Sequence, residues 1–307
     1  MGFKRKSEKI VKVFDPYDIP DGTLLIDLSQ IAMSIISETF NPKEAFTALD
    51  VETVIYNTVR TNVLRFKAKY PEVIICVDSK QKYWRCDFGY YYKGTRGAAR
   101  SKSGLDFKIV FEGLANAIEG MREKFPYRVI EVDRAEADDV IGYLSIELCQ
   151  SRRVMIVSAD GDFTQLHNHN VKQYSPMLKK QISPKHGSGR KDLLVKIIKG
   201  DRKDCISNIR SVCDHLLITE VGGARQKSIG AKDLESYMSD HKALCTESEL
   251  ERYEQNEKML DLRLTPTEYT DKIWEQYQIM PKGNKNDMYR LFSAKSMTYL
   301  IGKVDDF

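Results

Sequence analysis

The sequence predicts an α/β protein, a doubly wound and mostly parallel sheet followed by a smaller all-helical C-terminal part. Three observations predict it. Four short apolar runs are each closed by an acid, segments of helical period separate them, and the strand pattern fades from about Arg190 onward. The runs are Leu24-Leu25-Ile26-Asp27, Val73-Ile74-Ile75-Cys76-Val77-Asp78, Val129-Ile130-Glu131-Val132-Asp133 and Val154-Met155-Ile156-Val157-Ser158-Ala159-Asp160. Aliphatic runs without polar alternation suit strands buried on both faces. Residues 51–70, 107–125 and 136–148 carry apolar side chains near a 3.6 period, as in Val51, Val54, Ile55, Val59 and Val63, and read as the crossover helices. Further helices are expected over 191–199, 226–238, 247–262, 267–277 and 287–300. The stretch Ser183-Pro184-Lys185-His186-Gly187-Ser188-Gly189 reads as a connector. The expected organisation is a basic extension over 1–22, an α/β core over 23–185 and a helical part over 186–307.

Composition narrows the class. The chain has 307 residues, 48 Lys+Arg against 44 Asp+Glu for a net charge of +4, and 42% hydrophobic residues, which excludes wholesale disorder. No apolar run approaches the roughly 18 residues of a membrane span, and no apolar segment with a cleavage site follows the basic N-terminus. The expectation is a cytoplasmic protein with no membrane partner. The six cysteines show neither C-x-x-C pairs nor zinc-finger spacing and are expected to be reduced core residues.

The small net charge hides segregation along the chain. Residues 80–102 hold seven basic groups against Asp87, and residues 172–203 hold ten against Asp192 and Asp201. Between them, residues 131–162 hold eight acids and three arginines. An acidic centre between basic flanks suits a polyanion-binding surface around a carboxylate cluster that bound cations make tolerable.

In a doubly wound sheet, ligands bind at the carboxyl ends of the strands, where Asp27, Asp78 and Asp160 converge. Glu136-Ala137-Asp138-Asp139 opens the next helix, and Gly161 is expected to turn the backbone sharply so that Asp160 and Asp162 face one point. So many carboxylates cannot all ionise together without cations. A donor set of oxygens alone selects Mg²⁺ or Mn²⁺ over zinc. Two such ions form the apparatus of in-line displacement at a phosphodiester.

The segment Tyr83-Trp84-Arg85-Cys86-Asp87-Phe88-Gly89-Tyr90-Tyr91-Tyr92-Lys93-Gly94-Thr95-Arg96 interleaves aromatics with cations, a combination suited to unpaired strands, although at least two of the three consecutive tyrosines should belong to the core. Residues 94–104 lack apolar periodicity and are expected to stay mobile until substrate binds. Glycine turns at Gly200 and at Gly222-Gly223 are expected to offer backbone N–H groups to duplex phosphates. His167-Asn168-His169-Asn170 reads as a loop.

Taken in order, Leu25-Ile26-Asp27, Cys76-Val77-Asp78, Glu136-Ala137-Asp138-Asp139, Ser158-Ala159-Asp160-Gly161-Asp162-Phe163-Thr164-Gln165-Leu166 and Lys199-Gly200-Asp201-Arg202-Lys203-Asp204 resemble the motifs of the flap endonuclease superfamily of 5′ nucleases, over residues 24–229. The resemblance implies a PIN-like nuclease core with a helical arch near 83–104 and a helix-three-turn-helix element in the C-terminal part. It implies a Mg²⁺-dependent 5′ to 3′ nuclease, with Mn²⁺ as a substitute, that acts on duplex DNA, RNA–DNA hybrids and 5′ flaps and removes lagging-strand RNA primers. One ion would be held by Asp27, Asp78, Asp138 and Asp160 with Glu136 nearby, and a second by Asp139, Asp162, Asp201 and Asp204. Lys93 and Arg96, helped by Arg85, would stabilise charge on the scissile phosphate, and Tyr92 would stack on a terminal base. Arg100, Lys102, Lys203, Gly200, Gly222 and Gly223 would contact nucleic acid. A monomer working with a single-stranded-DNA-binding protein and a sliding clamp is the implied context. Cys205 departs from the Asn usual after the last motif aspartate, and Val221-Gly222-Gly223-Ala224-Arg225 is an imperfect version of the usual glycine turn. The competing reading is a non-catalytic, structure-specific DNA-binding protein on the same scaffold. The converging acids tell against it, because they would repel bound phosphates. A single-strand ribonuclease of the related PIN type is disfavoured by the chain length and by the duplex-binding element over residues 190–229.

Overall fold

The structure, a computed structural model, describes residues 22–218 and 225–307. The expected extension before residue 22 and the Gly222-Gly223 turn lie outside the described residues. Six strands form one sheet: β1 (Thr23–Asp27), β2 (Glu72–Val77), β3 (Arg128–Glu131), β4 (Val154–Val157), β5 (Val171–Ser175) and β6 (Lys180–Gln181). Their spatial order is β3-β2-β1-β4-β5-β6; the first five are parallel and β6 returns antiparallel to β5. The chain order reverses beside β1, between β2 and β4, which makes the carboxyl end of β1 the switch point where such folds hold ligands.

Alternation along the strands explains the uninterrupted apolar runs. Leu24, Ile26, Val73, Ile75 and Val157 face a core built with helices α1 (Leu28–Thr39), α2 (Ala48–Phe66) and α4 (Phe107–Lys124), whereas Leu25, Ile74 and Ile156 face one built with α5 (Ala137–Leu148). Helix α3 (Arg96–Ser103) lies between them in the chain and buries no residue. This stretch without apolar periodicity is thus helical and ends at Gly104, φ 75°.

Strands β5 and β6 escaped the hydrophobic pattern because β5 is polar. Its buried Gln173 gives its amide N–H groups to the carbonyls of Ser158 (2.9 Å) and Asp160 (2.6 Å), so hydrogen bonds seat that strand together with the buried Val171 and Tyr174.

After the sheet come α6 (Gly189–Lys199), α7 (His215–Ile218), α8 (Ala231–Leu244), α9 (Glu247–Leu260), α10 (Thr267–Gln278), α11 (Lys285–Ala294) and α12 (Thr298–Ile301). The single helix expected over 287–300 is two, broken where Ser296 takes φ 56°. Helix α8 starts five residues later than expected and kinks at Asp240. A third core joins α6, α8 and α9 to Tyr91 and Tyr92. The last helices instead return to the sheet: Ile273 and Tyr277 of α10 join the α5 side, and Met288, Phe292 and Phe307 join the α2–α4 side. Among the described residues no helix is long and apolar enough to cross a membrane.

Candidate active site

Asp27 ends β1 and caps α1, accepting a hydrogen bond from the Gln30 N–H (3.1 Å), so the strand runs straight into a helix with a carboxylate at the junction. Its other oxygen accepts from the Ser158 hydroxyl at 2.8 Å. Asp78 follows β2 and accepts from the Ala137 N–H at 2.8 Å, which ties the end of β2 to the first turn of α5. Asp160 caps the 3-10 turn Gly161–Leu166 and accepts from the Asp162 N–H. That cap makes the turn. Gly161 has open space around it and no left-handed backbone, so the sharp glycine bend expected there is absent.

Asp27, Asp78, Asp138 and Asp160 line one cleft of about 470 Å³ together with Lys93, Arg96 and Lys203. The electrostatics are those of a crowded anionic site. Burial, with Asp78 nearby, raises the Asp27 carboxyl to about 7, and burial against Asp160 and Asp27 holds Asp138 well above the ordinary range despite Lys93. At Asp160 burial is overridden by Lys203, whose ammonium hydrogen-bonds it, and the carboxyl is lowered.

A second group stands beside the first. Ligand oxygens of Asp162, Asp201 and Asp204 lie within 4.8 Å of one another. Lys196 bridges Asp162 and Asp201, with Nζ 2.6 Å from the latter, and this overrides burial to lower Asp201. Gly200 makes this loop possible. With φ 76° and ψ 177° it closes α6, and a Cβ would sit 2.3 Å from the Ile206 carbonyl oxygen. It therefore ends a helix, where a phosphate-facing helix N-terminus was expected. Paired backbone bonds of 2.8 Å between Asp201 and Ile206 close the turn. Cys205 takes φ 62° within it, a left-handed position that Asn fills more readily. The segment leading into α3 is anchored here: the Lys93 N–H donates to the Asp204 carbonyl (2.9 Å) and Arg96 Nη2 to its carboxylate (3.1 Å).

Three expected site residues are placed elsewhere. Asp139 is fully buried and accepts from both Arg85 Nη atoms (2.8 Å each), Trp84 Nε1 (3.1 Å), Thr265 Oγ1 (2.9 Å) and the Glu136 N–H (2.9 Å). Burial would raise this carboxyl, but the guanidinium holds it below its ordinary value. All its lone pairs are engaged away from the cleft. Arg85 is correspondingly buried and also donates to Glu136 (2.9 Å), so it meets no solvent-borne phosphate. Tyr92 is buried, its hydroxyl donating to Glu136 at 2.9 Å, so its ring is core and not a stacking platform. Tyr91 is core as well, and Tyr90 is the exposed one of the three.

Glu136 is buried and receives Arg85, Tyr92 and Lys93, so it stands behind the cleft and orients Lys93. The Lys93 ammonium, which burial would make less basic, is raised well above its ordinary value by Tyr92 and Glu136 and stays charged. Arg100 and Lys102 lie exposed on α3, Arg100 over the Phe111 ring at 5.1 Å. Arg100, Arg96, Asp78 and Tyr83 line an adjoining cavity of about 600 Å³ beneath that helix. The sequence reading missed Lys196, Ser158 and Tyr83. Tyr83 and Ser158 carried a signal, as the first residues of the aromatic and basic block and of the motif that holds Asp160.

The 5′-3′ exonuclease N-terminal resolvase-like domain model matches residues 23–192, and the model for the C-terminal part of T4 RNase H matches residues 187–307. Ribonuclease H of Enterobacteria phage T4 is 36% identical over 300 residues, 94% of this chain and 97% of that protein. Among solved structures, the bacteriophage T5 flap endonuclease in a complex with DNA and metal ions is similar at TM-score 0.60 and 16% identity, covering 84% of this chain and all 100% of that one. The T5 5′-exonuclease with zinc bound is similar at TM-score 0.59 and 17% identity, covering 84% and 99%. These two share the fold.

Proposed function

The chain belongs to the 5′-3′ exonuclease family, with the C-terminal part of T4 RNase H, and is a nuclease hydrolase; from that premise we propose that it is a Mg²⁺-dependent 5′ to 3′ nuclease of duplex DNA, RNA–DNA hybrids and 5′ flaps that removes RNA primers in phage DNA replication. The observation that carries the reading is the convergence of Asp27, Asp78, Asp138 and Asp160, from separate segments, on one cleft that also holds Lys93, Arg96 and Lys203. The donor set fits hard divalent cations, since every anionic ligand there is a carboxylate and neither Cys nor His lines the cleft. Bound ions would supply an activated water and charge neutralisation at the scissile phosphate.

Asp27, Asp78, Asp138 and Asp160 would hold one ion and Asp162, Asp201 and Asp204 the other. Asp139 is better read as a structural acid, with Arg85 and Glu136 as positioning residues, because each is engaged in the buried network. Lys93 and Arg96 place positive charge beside the acids, where negative charge accumulates in the transition state. Tyr83, which lines the adjoining cavity with Asp78, Arg96 and Arg100, would be the aromatic that meets an unpaired terminal base. The helix α3, with Arg100 and Lys102, gives a basic cover through which a single strand would pass. A monomer serving a replisome with a single-stranded-DNA-binding protein and a sliding clamp is the matching context.

The test is a 5′-labelled RNA–DNA hybrid incubated with Mg²⁺, with Mn²⁺ and with EDTA. Short products from the 5′ end that need the metal are expected. Equal cleavage in EDTA, or products released first from the 3′ end, would overturn the proposal.

A further inference from the structure

The opposite edge of the sheet carries a second basic site. A depression of about 520 Å³ is lined by Arg65, Lys69, Arg153, Lys172 and His169, over a floor that includes Phe66 and Tyr70. No carboxylate lines it, and none of these cations makes an ion pair among the described residues. The contrast with its surroundings is informative. Glu72 is taken up by Arg128 and Arg152 at 2.9 Å each, and Arg60 by Asp306, so the acids of this edge serve other arginines.

The negative end of α2 accounts for Arg65 in its last turn. It does not account for Arg153, Lys172 and His169, which come from the start of β4, from β5 and from the loop before it. The position is set by the fold: Gly22 donates to the Lys69 carbonyl (3.0 Å) and Thr23 to the Arg153 carbonyl (2.8 Å), so the chain enters β1 between two of these cations. Four cations without a carboxylate partner around a concavity repel one another unless an anion is supplied.

We infer that this depression is a second nucleic-acid site, which engages the phosphates of a single-stranded arm that extends from the substrate beyond the catalytic cleft. The choice of nucleic acid as the anion rests on the nuclease reading above. The site itself does not contribute to cleavage, because it lies at the amino ends of the strands and the acids lie at the carboxyl ends.

The experiment uses the full chain carrying Arg153→Gln and Lys172→Gln. Binding to a circular single-stranded DNA, which has no 5′ end, is measured in EDTA across a salt series. Losing two phosphate contacts should lessen the slope of log K against log salt by about 1.4. Cleavage of a short 5′-labelled hybrid that only fills the cleft should be unchanged, and this arm reports on the nuclease reading separately. An unaltered slope and affinity would overturn the inference. So would loss of binding to poly-glutamate with DNA binding intact, which would assign the site to an acidic protein segment. Should Arg153→Gln fail to fold, Lys69→Gln with Lys172→Gln, both exposed, gives the same reading.

Discussion

Replacing Asp139 with Asn should weaken the fold and spare divalent-ion binding, whereas Asp138→Asn should do the opposite. The two residues are neighbours on α5 with different surroundings. Asp139 accepts five hydrogen bonds, two of them from the Arg85 guanidinium, in a fully buried position. An amide has one acceptor oxygen and no charge, so Arg85 would keep Glu136 as its only ionic partner, beside the Met259 carbonyl that accepts from its Nε. Removing one partner of a buried pair costs about 3–5 kcal/mol. The cost also has a pH signature. Because the Asp139 carboxyl is lowered in the folded protein, its contribution is complete above the unfolded value of about 3.9 and is lost as pH falls through the lower folded value. Urea unfolding at pH 7 and below pH 4, paired with Mn²⁺ titration calorimetry, measures both effects. The reasoning would be refuted by an Asp139→Asn protein of native stability whose ion affinity has dropped as far as that of Asp138→Asn.

Four more outcomes follow from the site. The Asp27 carboxyl, raised to about 7, must shed its proton to bind an ion, as must Asp138, which is also raised, so divalent affinity should fall at least about tenfold per pH unit below 7, with proton release seen as buffer-dependent heat. In the metal-free protein the same shift makes stability decline between about pH 4 and 7 at this group, since the folded state holds the proton more tightly, and added Mg²⁺ should reverse the decline in a thermal melt. Gly200→Ala should cost about 1–3 kcal/mol in denaturant unfolding, and should weaken the ion site of the Asp201 loop more than that of the Asp27 cleft, because its backbone region is open to glycine alone. Lys93→Ala should slow single-turnover cleavage by about 10²–10³ while changing DNA affinity far less, as expected of a charge that matters most in the transition state.

The sheet and the cleft acids were legible because both depend on short-range pattern. An apolar run closed by an aspartate gives a strand and its carboxyl-end residue together, so Asp27, Asp78 and Asp160 could be placed on one edge from the sequence. The difference between Asp138 and Asp139 could not. It depends on a guanidinium from residue 85 and a hydroxyl from residue 265, long-range partners with no local trace. The same holds for Tyr92, whose fate was decided by Glu136 and the α6–α9 core. Polar β5 was invisible to hydrophobic pattern, being held by Gln173. Lys196 belongs to the basic stretch over 172–203, and its bridge between Asp162 and Asp201 depends on the Asp201 loop folding back onto α6, which no local pattern shows.

The central claim, that the carboxylate cleft holds the ions that drive 5′ cleavage, is met most directly by Asp160→Asn. The assay is single-turnover cleavage of a 5′-labelled RNA–DNA hybrid in Mg²⁺, with circular dichroism to show that the variant is folded. Loss of an ion ligand should reduce the rate at least about a hundredfold, since even outer partners of a metal site are worth 10–100-fold. A folded variant that retains full turnover would contradict it.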